Sequence, residues 1–314
     1  MSRHVKASMP QQIFDRLDSL TRYGHSKHQD KLSGVAQKYI YSFDTYQTYR
    51  KACLRFVKWA RSNDDITANL GHKARTLDEV RPYAEMWLKE RESAGMSAYT
   101  LKMERSALSK LYGEEIAVQL KGTARADIKR SRGAAARDKN FNELRHADLV
   151  NFCKCAGPRR AELESLSADA IEWHDNKPYI RYTKSTKGGR ERLSPLVGTP
   201  EEIKQAIDYV KGLNGHNKIN SNADIHAYRA FYATRVYKYH ESDLNALRGQ
   251  KMDYTALTGK RNTDGTRIFK SALYFCRGDR RGDVLDRTAM IMASKALGHN
   301  RESVVGEHYI RLDA

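Results

Sequence analysis

Residues 226–234 read His226-Ala227-Tyr228-Arg229-Ala230-Phe231-Tyr232-Ala233-Thr234. The stretch opens a helix expected over roughly His226 to Tyr239. Positions i and i+3 of a helix point the same way, so His226 and Arg229 are presented side by side. A guanidinium is a planar fork that matches two oxygens of a phosphate and never deprotonates. An imidazole can bond the same phosphate or move a proton. The pair is therefore suited to gripping one phosphate. A lone His-x-x-Arg is common by chance, so its weight depends on its surroundings.

Three further segments flank it. Upstream lie Ala156-Gly157-Pro158-Arg159-Arg160-Ala161-Glu162-Leu163 and Lys187-Gly188-Gly189-Arg190-Glu191-Arg192-Leu193-Ser194-Pro195-Leu196. Downstream lies Leu297-Gly298-His299, with Tyr309 ten residues later. Breaking a phosphodiester without a metal requires a nucleophile in line with phosphorus, cations on the non-bridging oxygens, and an acid for the departing oxygen. Arg suits the second role, Lys or His the proton transfer, and Tyr can be a nucleophile and covalent carrier. Taken singly, Arg159 reads as a surface arginine, Lys187 as a turn lysine, His299 as a helix cap and Tyr309 as a packing aromatic. Their order and spacing together favour the chemistry.

The four segments resemble those of the tyrosine recombinase (phage integrase) family, over about residues 40–314 and specifically from Gly157 onward. Gly157-Pro158-Arg159 with Glu162-Leu163 matches the first arginine motif, and the stretch after Lys187 matches the β-hairpin that carries a lysine. His226 to Arg229 matches His-x-x-Arg, and Leu297-Gly298-His299 with Tyr309 matches the terminal motif. The resemblance implies that Tyr309 attacks the scissile phosphate and forms a 3′-phosphotyrosyl link. It implies that Lys187 protonates the 5′-oxygen and that Arg159 and Arg229 stabilise the pentavalent transition state. His226 would assist the tyrosine's proton, His299 would bond a non-bridging oxygen, and Glu162 would support Arg159. Neither ATP nor a metal is required, so no cofactor is expected. The implied partners are double-stranded DNA carrying a specific site, a homotetramer acting through a four-way (Holliday) junction, and accessory DNA-bending or directionality proteins. The implied source is a mobile element or phage.

Three departures stand out. Pro158 replaces an apolar residue before the arginine, which bends or delays the next helix. Arg229 and His299 are 70 positions apart, more than the family's short connection. The excess, about 241–286, reads either as a DNA- or subunit-contacting insertion or as a solvated loop. Only five residues follow Tyr309, so a tail docking on a neighbouring subunit is expected to be absent or replaced by another segment.

The fold class expected is mainly α with a small antiparallel β-sheet. A helical core-binding domain and a catalytic domain would form a clamp around DNA. Residues 1–35 are polar, basic and weakly periodic, and read as an arm ordered on a partner. Residues 36–121 read as the helical domain. Asp44 with Gln47 forms a capping pair ahead of Tyr49, Cys53, Phe56, Val57 and Ala60 at helical spacing. A second helix through Val80, Ala84, Trp87 and Leu88 is expected to begin near Arg81, because Pro82 argues against Leu77. A third follows Ser97 and ends at Gly113. The polar faces of these helices carry Arg50, Arg55, Lys58, Lys102 and Arg105, which we read as DNA contacts; a solvated face accounts for each one singly. Residues 122–140, with Lys129, Arg130 and Arg132, read as a basic linker able to contact phosphates. Residues 141–314 read as the catalytic domain: a helix up to Leu166, strands Tyr179–Thr183 and Leu193–Leu196, and a helix started by Thr199, Pro200 and Glu202.

The 314 residues carry 56 Lys and Arg against 38 Asp and Glu, a net charge of +18. That points to a polyanionic partner, and nucleic acid over membrane. No secretory signal or membrane-length apolar stretch is visible, so a cytoplasmic, nucleoid-associated protein is expected. The four cysteines form no Cys-x-x-Cys arms, which argues against zinc. His72 and Arg75 mimic the motif without partners, and Tyr232 and Tyr237 are rival tyrosines read as packing. Two alternatives remain. One is the same chemistry without exchange, as in a type IB-like topoisomerase or a hairpin-forming resolvase. The other is a catalytically silent DNA-binding regulator, against which the intact residue set speaks.

Overall fold

The computed structural model describes residues 7–121, 141–186, 190–299 and 301–311. They divide between two compact units, Met1–Ile128 and Lys129–Ala314. The expected linker, with Lys129, Arg130 and Arg132, lies outside the described residues, as does Lys187. Most described structure is helix, with small antiparallel sheets confined to the second unit. No described helix is long and apolar enough to cross a membrane.

The first unit contains α1 (Met9–Asp18), α2 (Lys27–Leu32), α3 (Phe43–Ser62), α4 (Asp64–Leu70), α5 (Leu77–Val80), α6 (Ala84–Ser93) and α7 (Ala98–Tyr112). Helix α1 corrects the reading of 1–35 as an arm. Met9, Ile13 and Leu17 recur every four residues, form one apolar stripe and are buried in the core. A stripe that narrow is easily masked by polar neighbours, yet it is enough to dock a helix. Helix α3 is capped by Ser42, whose hydroxyl accepts from the Thr45 amide, with Asp44 inside the first turn and not at the cap. Helical geometry also begins earlier than Pro82 suggested. Thr76 and Glu79 form a capping box that starts α5, and the proline falls in a tight 3₁₀ turn, Arg81–Tyr83, ahead of α6. There its missing amide breaks no α-helical ladder. Phe56, Trp87, Leu88, Leu101 and Leu108 centre the core. Glu104 is fully buried and is met by Arg55 (3.0 Å) and Arg91 (2.8 Å).

In the second unit, α8 (Ala147–Ala156) and α9 (Arg160–Glu164) replace the single helix expected up to Leu166. Gly157 turns left-handed (φ +58°) and Arg159 becomes the N-cap of α9. Strands β1 (Ile171–His174), β2 (Lys177–Tyr182) and β3 (Arg192–Pro195) form an antiparallel sheet in that order, with Ile180 opposite Ser194 and Tyr182 opposite Arg192. Strand β1 was not expected. It joins β2 through Asp175 and Asn176, both at positive φ, the geometry of a tight hairpin.

Helix α10 (Pro200–Lys211) starts at the Thr199–Glu202 capping box with Pro200 in its first turn, as the sequence indicates. It packs on α8, and α11 (Ile225–His240) packs on α8 and, farther along, on α13 (Arg287–Ala296). Between them come β4 (Lys251–Asp253), α12 (Tyr254–Thr258), β5 (Phe269–Ser271), β6 (Leu273–Phe275) and β7 (Val284–Asp286), with β4 pairing β5 and β6 pairing β7. The segment 241–286 is thus not a solvated loop. Cys276 and Leu285 enter the same core as Ala230, Tyr232, Met290 and Val305. Helix α14 (Glu302–His308) packs on α13 and delivers Tyr309.

Candidate active site

The last four carbonyls of a helix lack partners within the helix, and its C-terminal end carries partial negative charge. Two such ends converge in the second unit, and three arginines serve them. Arg229, on α11 and 1% exposed, donates to the Gly157 carbonyl after α8 and the Leu297 carbonyl after α13. Arg159 donates to the same Leu297 carbonyl (3.3 Å) and pairs with Glu162. Arg192, on β3, donates to the Gly157 (3.2 Å) and Ala296 (2.6 Å) carbonyls and pairs with Glu162 (2.7 Å).

Glu162 is the only carboxylate bonded to this trio among the described residues, and its backbone position explains why. As the third residue of α9 it accepts from the Arg159 amide (2.7 Å) in a capping box, while its second oxygen reaches the Arg159 guanidinium. Burial works to raise its pKa, but Arg192 and the Arg159 amide outweigh that and bring it down to about 2. Arg229 is pushed the other way. Burial, with the charges of Arg192 and Arg159, lowers its pKa to about 10, so it stays cationic at neutral pH. Among the described residues its Nε has no acceptor.

Tyr309 follows α14, its amide bonded to the Val305 carbonyl (2.9 Å) and its carbonyl accepting from Thr234 of α11 (3.4 Å). Its ring is largely buried. The His226 ring centroid lies 5.2 Å away, the His299 centroid 5.3 Å, and the Arg229 guanidinium carbon 5.8 Å from the ring centre. His299 is held at the end of α13 by a hydrogen bond from its backbone amide to the Ser294 carbonyl (2.8 Å). Desolvation and the Arg229 charge lower the pKa of His226, against the opposing pull of Asp224, which leaves the imidazole neutral at pH 7.

The structure thus brings Arg159, Glu162, His226, Arg229, His299 and Tyr309 together. Arg160 is excluded from the cluster, because its guanidinium is spent on the carbonyls of Asn220 (3.0 Å) and Ala223 (2.6 Å). Tyr232 and Tyr237 are packing residues: the Tyr232 hydroxyl bonds the Pro195 carbonyl (2.8 Å), and the Tyr237 hydroxyl bonds Glu241 (2.7 Å). Arg192 was missed. Its signal was alternation: Arg192, Ser194 and Leu196 fall on the inward face of a strand, where an arginine needs a reason.

In the first unit, Lys58 and Lys102 are exposed, and Lys102 lines an open groove of about 410 Å³ with Asp44, Thr48 and Tyr99. Arg50 stacks over Phe14 (4.3 Å), Arg55 serves Glu104, and Arg105 bonds the Val118 carbonyl (3.3 Å).

No protein-family model and no curated protein matches the chain. Solved structures similar in fold include the XerH site-specific recombinase bound to palindromic difH substrate, in a post-cleavage complex. It is 14% identical with a TM-score of 0.44, over 100% of this chain and 88% of that one. Another is the Tn1549 transposon integrase in complex with circular intermediate DNA, 11% identical with a TM-score of 0.45, over 97% and 96%. At such identities and scores, the likeness carries no chemistry over to this chain.

Proposed function

We propose that this protein is a site-specific DNA recombinase that cleaves and rejoins strands through Tyr309. The observation that carries the reading is the gathering of His226, His299 and Arg229 within 6 Å of the Tyr309 ring, beside a second arginine, Arg159. The phenol oxygen forms a bond to phosphorus as the bond to the 5′-oxygen breaks. Neutral His226 takes the phenol proton, and the Lys187 ammonium supplies one to the departing oxygen. Arg159 and Arg229 stabilise the charge that grows from one to two on the pentavalent phosphorus. Three guanidiniums against one carboxylate leave two positive charges in excess, matched to that dianion. The 5′-hydroxyl of a partner strand then attacks the phosphotyrosyl bond and frees the phenol. The bond energy is conserved, so ATP is not consumed. The acting assembly is a homotetramer on paired sites, in the cytoplasm, encoded by a mobile element or phage.

The test uses nicked duplexes tiled across DNA flanking the gene. One of them should trap the full-length protein as a denaturant-resistant adduct with the DNA 3′ end on tyrosine, and Tyr309→Phe should abolish it. Adduct formation by Tyr309→Phe removes Tyr309 from the role. Relaxation of supercoiled DNA lacking any such site moves the assignment to a topoisomerase.

A further inference from the structure

The segment 241–286 holds α14 at both ends. At the N-terminal end, Glu302 accepts from the Tyr254 hydroxyl (2.8 Å) and Lys270 (3.2 Å) of this segment, and from Arg287 of α13 (3.3 Å). At mid-helix, Gly306 lies so close to the β6–β7 hairpin and α13 that an added Cβ would stand 2.8 Å from Met290 Cε and 3.4 Å from Leu285 Cδ1. At the C-terminal end, Arg280 donates through Nη1 to the carbonyls of Gly306 (2.8 Å) and Ile310 (2.9 Å), and through Nε to Asp283 (2.6 Å). Arg280 is itself buried.

The backbone explains why a cation belongs there. In a continuing helix the Gly306 carbonyl would accept from the Ile310 amide. Here the Ile310 amide turns back to the Val305 carbonyl (3.1 Å), leaving the Gly306 carbonyl to another donor. Arg280 supplies it, and its second bond, to Ile310, fixes the residue immediately after Tyr309. A guanidinium can span two carbonyls in fixed geometry, whereas an ammonium is a point donor on a flexible stem.

We propose that Arg280 is a positioning residue for the Tyr309 phenol, and that segment 241–286 is an internal brace that presents the nucleophile from within its own subunit. The inference rests on Tyr309 being the nucleophile. A misplacement of about 1 Å can cost on the order of 100-fold in rate, so loss of the clamp should appear in the chemical step before it appears in DNA affinity.

The experiment compares full-length wild type, Arg280→Ala, Arg280→Lys and Tyr309→Phe on the trapped duplex. Single-turnover adduct formation is followed at saturating DNA, beside DNA affinity and far-ultraviolet circular dichroism. Arg280→Ala should lower the single-turnover rate about 10- to 100-fold while affinity stays within about twofold, and Arg280→Lys should recover part of the loss. Wild-type rates in both Arg280 variants, with Tyr309→Phe inert, overturn the positioning role and leave the nucleophile intact. A parallel fall of affinity and helicity in both variants reduces Arg280 to a folding residue and also overturns it. An adduct in Tyr309→Phe overturns the underlying reading instead.

Discussion

Glu162 is the residue on which the arginine cluster depends, and its protonation sets a stability that varies with pH. An unfolded glutamate titrates near 4.5, and the folded one is held down to about 2. The depressed value means stabilisation is fully present above about pH 4.5 and is lost as pH falls toward 2. With the carboxylate fully buried, that contribution is on the order of 3 kcal/mol at neutral pH. Glu162→Gln keeps the shape and removes the charge, leaving buried Arg192 without its counter-ion, a change that costs about 3–5 kcal/mol. Urea midpoints measured at pH 7, 4.5 and 3 should show the wild type losing stability steeply below pH 4.5. The variant should start lower and fall less. Parallel curves would mean that Glu162 is not held ionised by the arginines.

Among the elements, the α8–α9 break does most to place those arginines, and Gly157 is its pivot. At φ +58° an alanine there is strained, and its Cβ would lie 2.2 Å from Cδ1 of Tyr232, a buried ring fixed by its hydroxyl bond to Pro195. Backbone strain and overpacking together cost on the order of 3 kcal/mol. Gly157→Ala should therefore lower the melting temperature by roughly 6–12 °C. It should also impair the strand cleavage proposed for this site below that temperature, because the Gly157 carbonyl accepts from both Arg192 and Arg229. A melting temperature unchanged within 2 °C, read by circular dichroism, would mean that Tyr232 yields freely. The sequence made this break half visible: Gly157-Pro158 is a local stop signal, but nothing local said that the chain would restart at once with Arg159 as the cap of the next helix. Capped, longer helices such as α7 and α10 were legible from their end signals. The three-residue strands β4 to β7 were not, because three positions are too few for alternation to register. The β6–β7 hairpin sets Leu285 and Tyr274 against the α13–α14 core, a long-range contact that no local pattern reveals.

At the scale of the whole molecule, the four motif segments were easy to pick out because each is a short string with fixed offsets. Their convergence was not, since it depends on two helix ends, after α8 and α13, meeting from residues 140 positions apart in the chain. Charge is the one global property the sequence states outright. An excess of +18 carried by lysine and arginine binds polyanions by releasing counter-ions, so affinity falls linearly in log–log terms with salt. Some of the arginines are committed internally: Arg55 to Glu104, Arg91 to Glu104, Arg235 to Glu202. Lys58 and Lys102 are exposed and make no ion pair with a described residue, which makes them the first candidates for phosphate contact in their unit. Duplex DNA without a recombination site should lose about 1,000-fold in affinity or more between 50 and 200 mM salt. Lys58→Ala and Lys102→Ala should each reduce the slope by about one, with melting temperature unchanged. Arg55→Ala should instead destabilise the helical unit, because it leaves the buried Glu104 carboxylate with Arg91 alone. Fluorescence anisotropy across a salt series reads the two slopes, and thermal denaturation followed by circular dichroism reads the destabilisation in Arg55→Ala. A slope near zero for the wild type would mean that the positive charge serves solubility and that duplex DNA is not its partner, whatever the Tyr309 cluster can do.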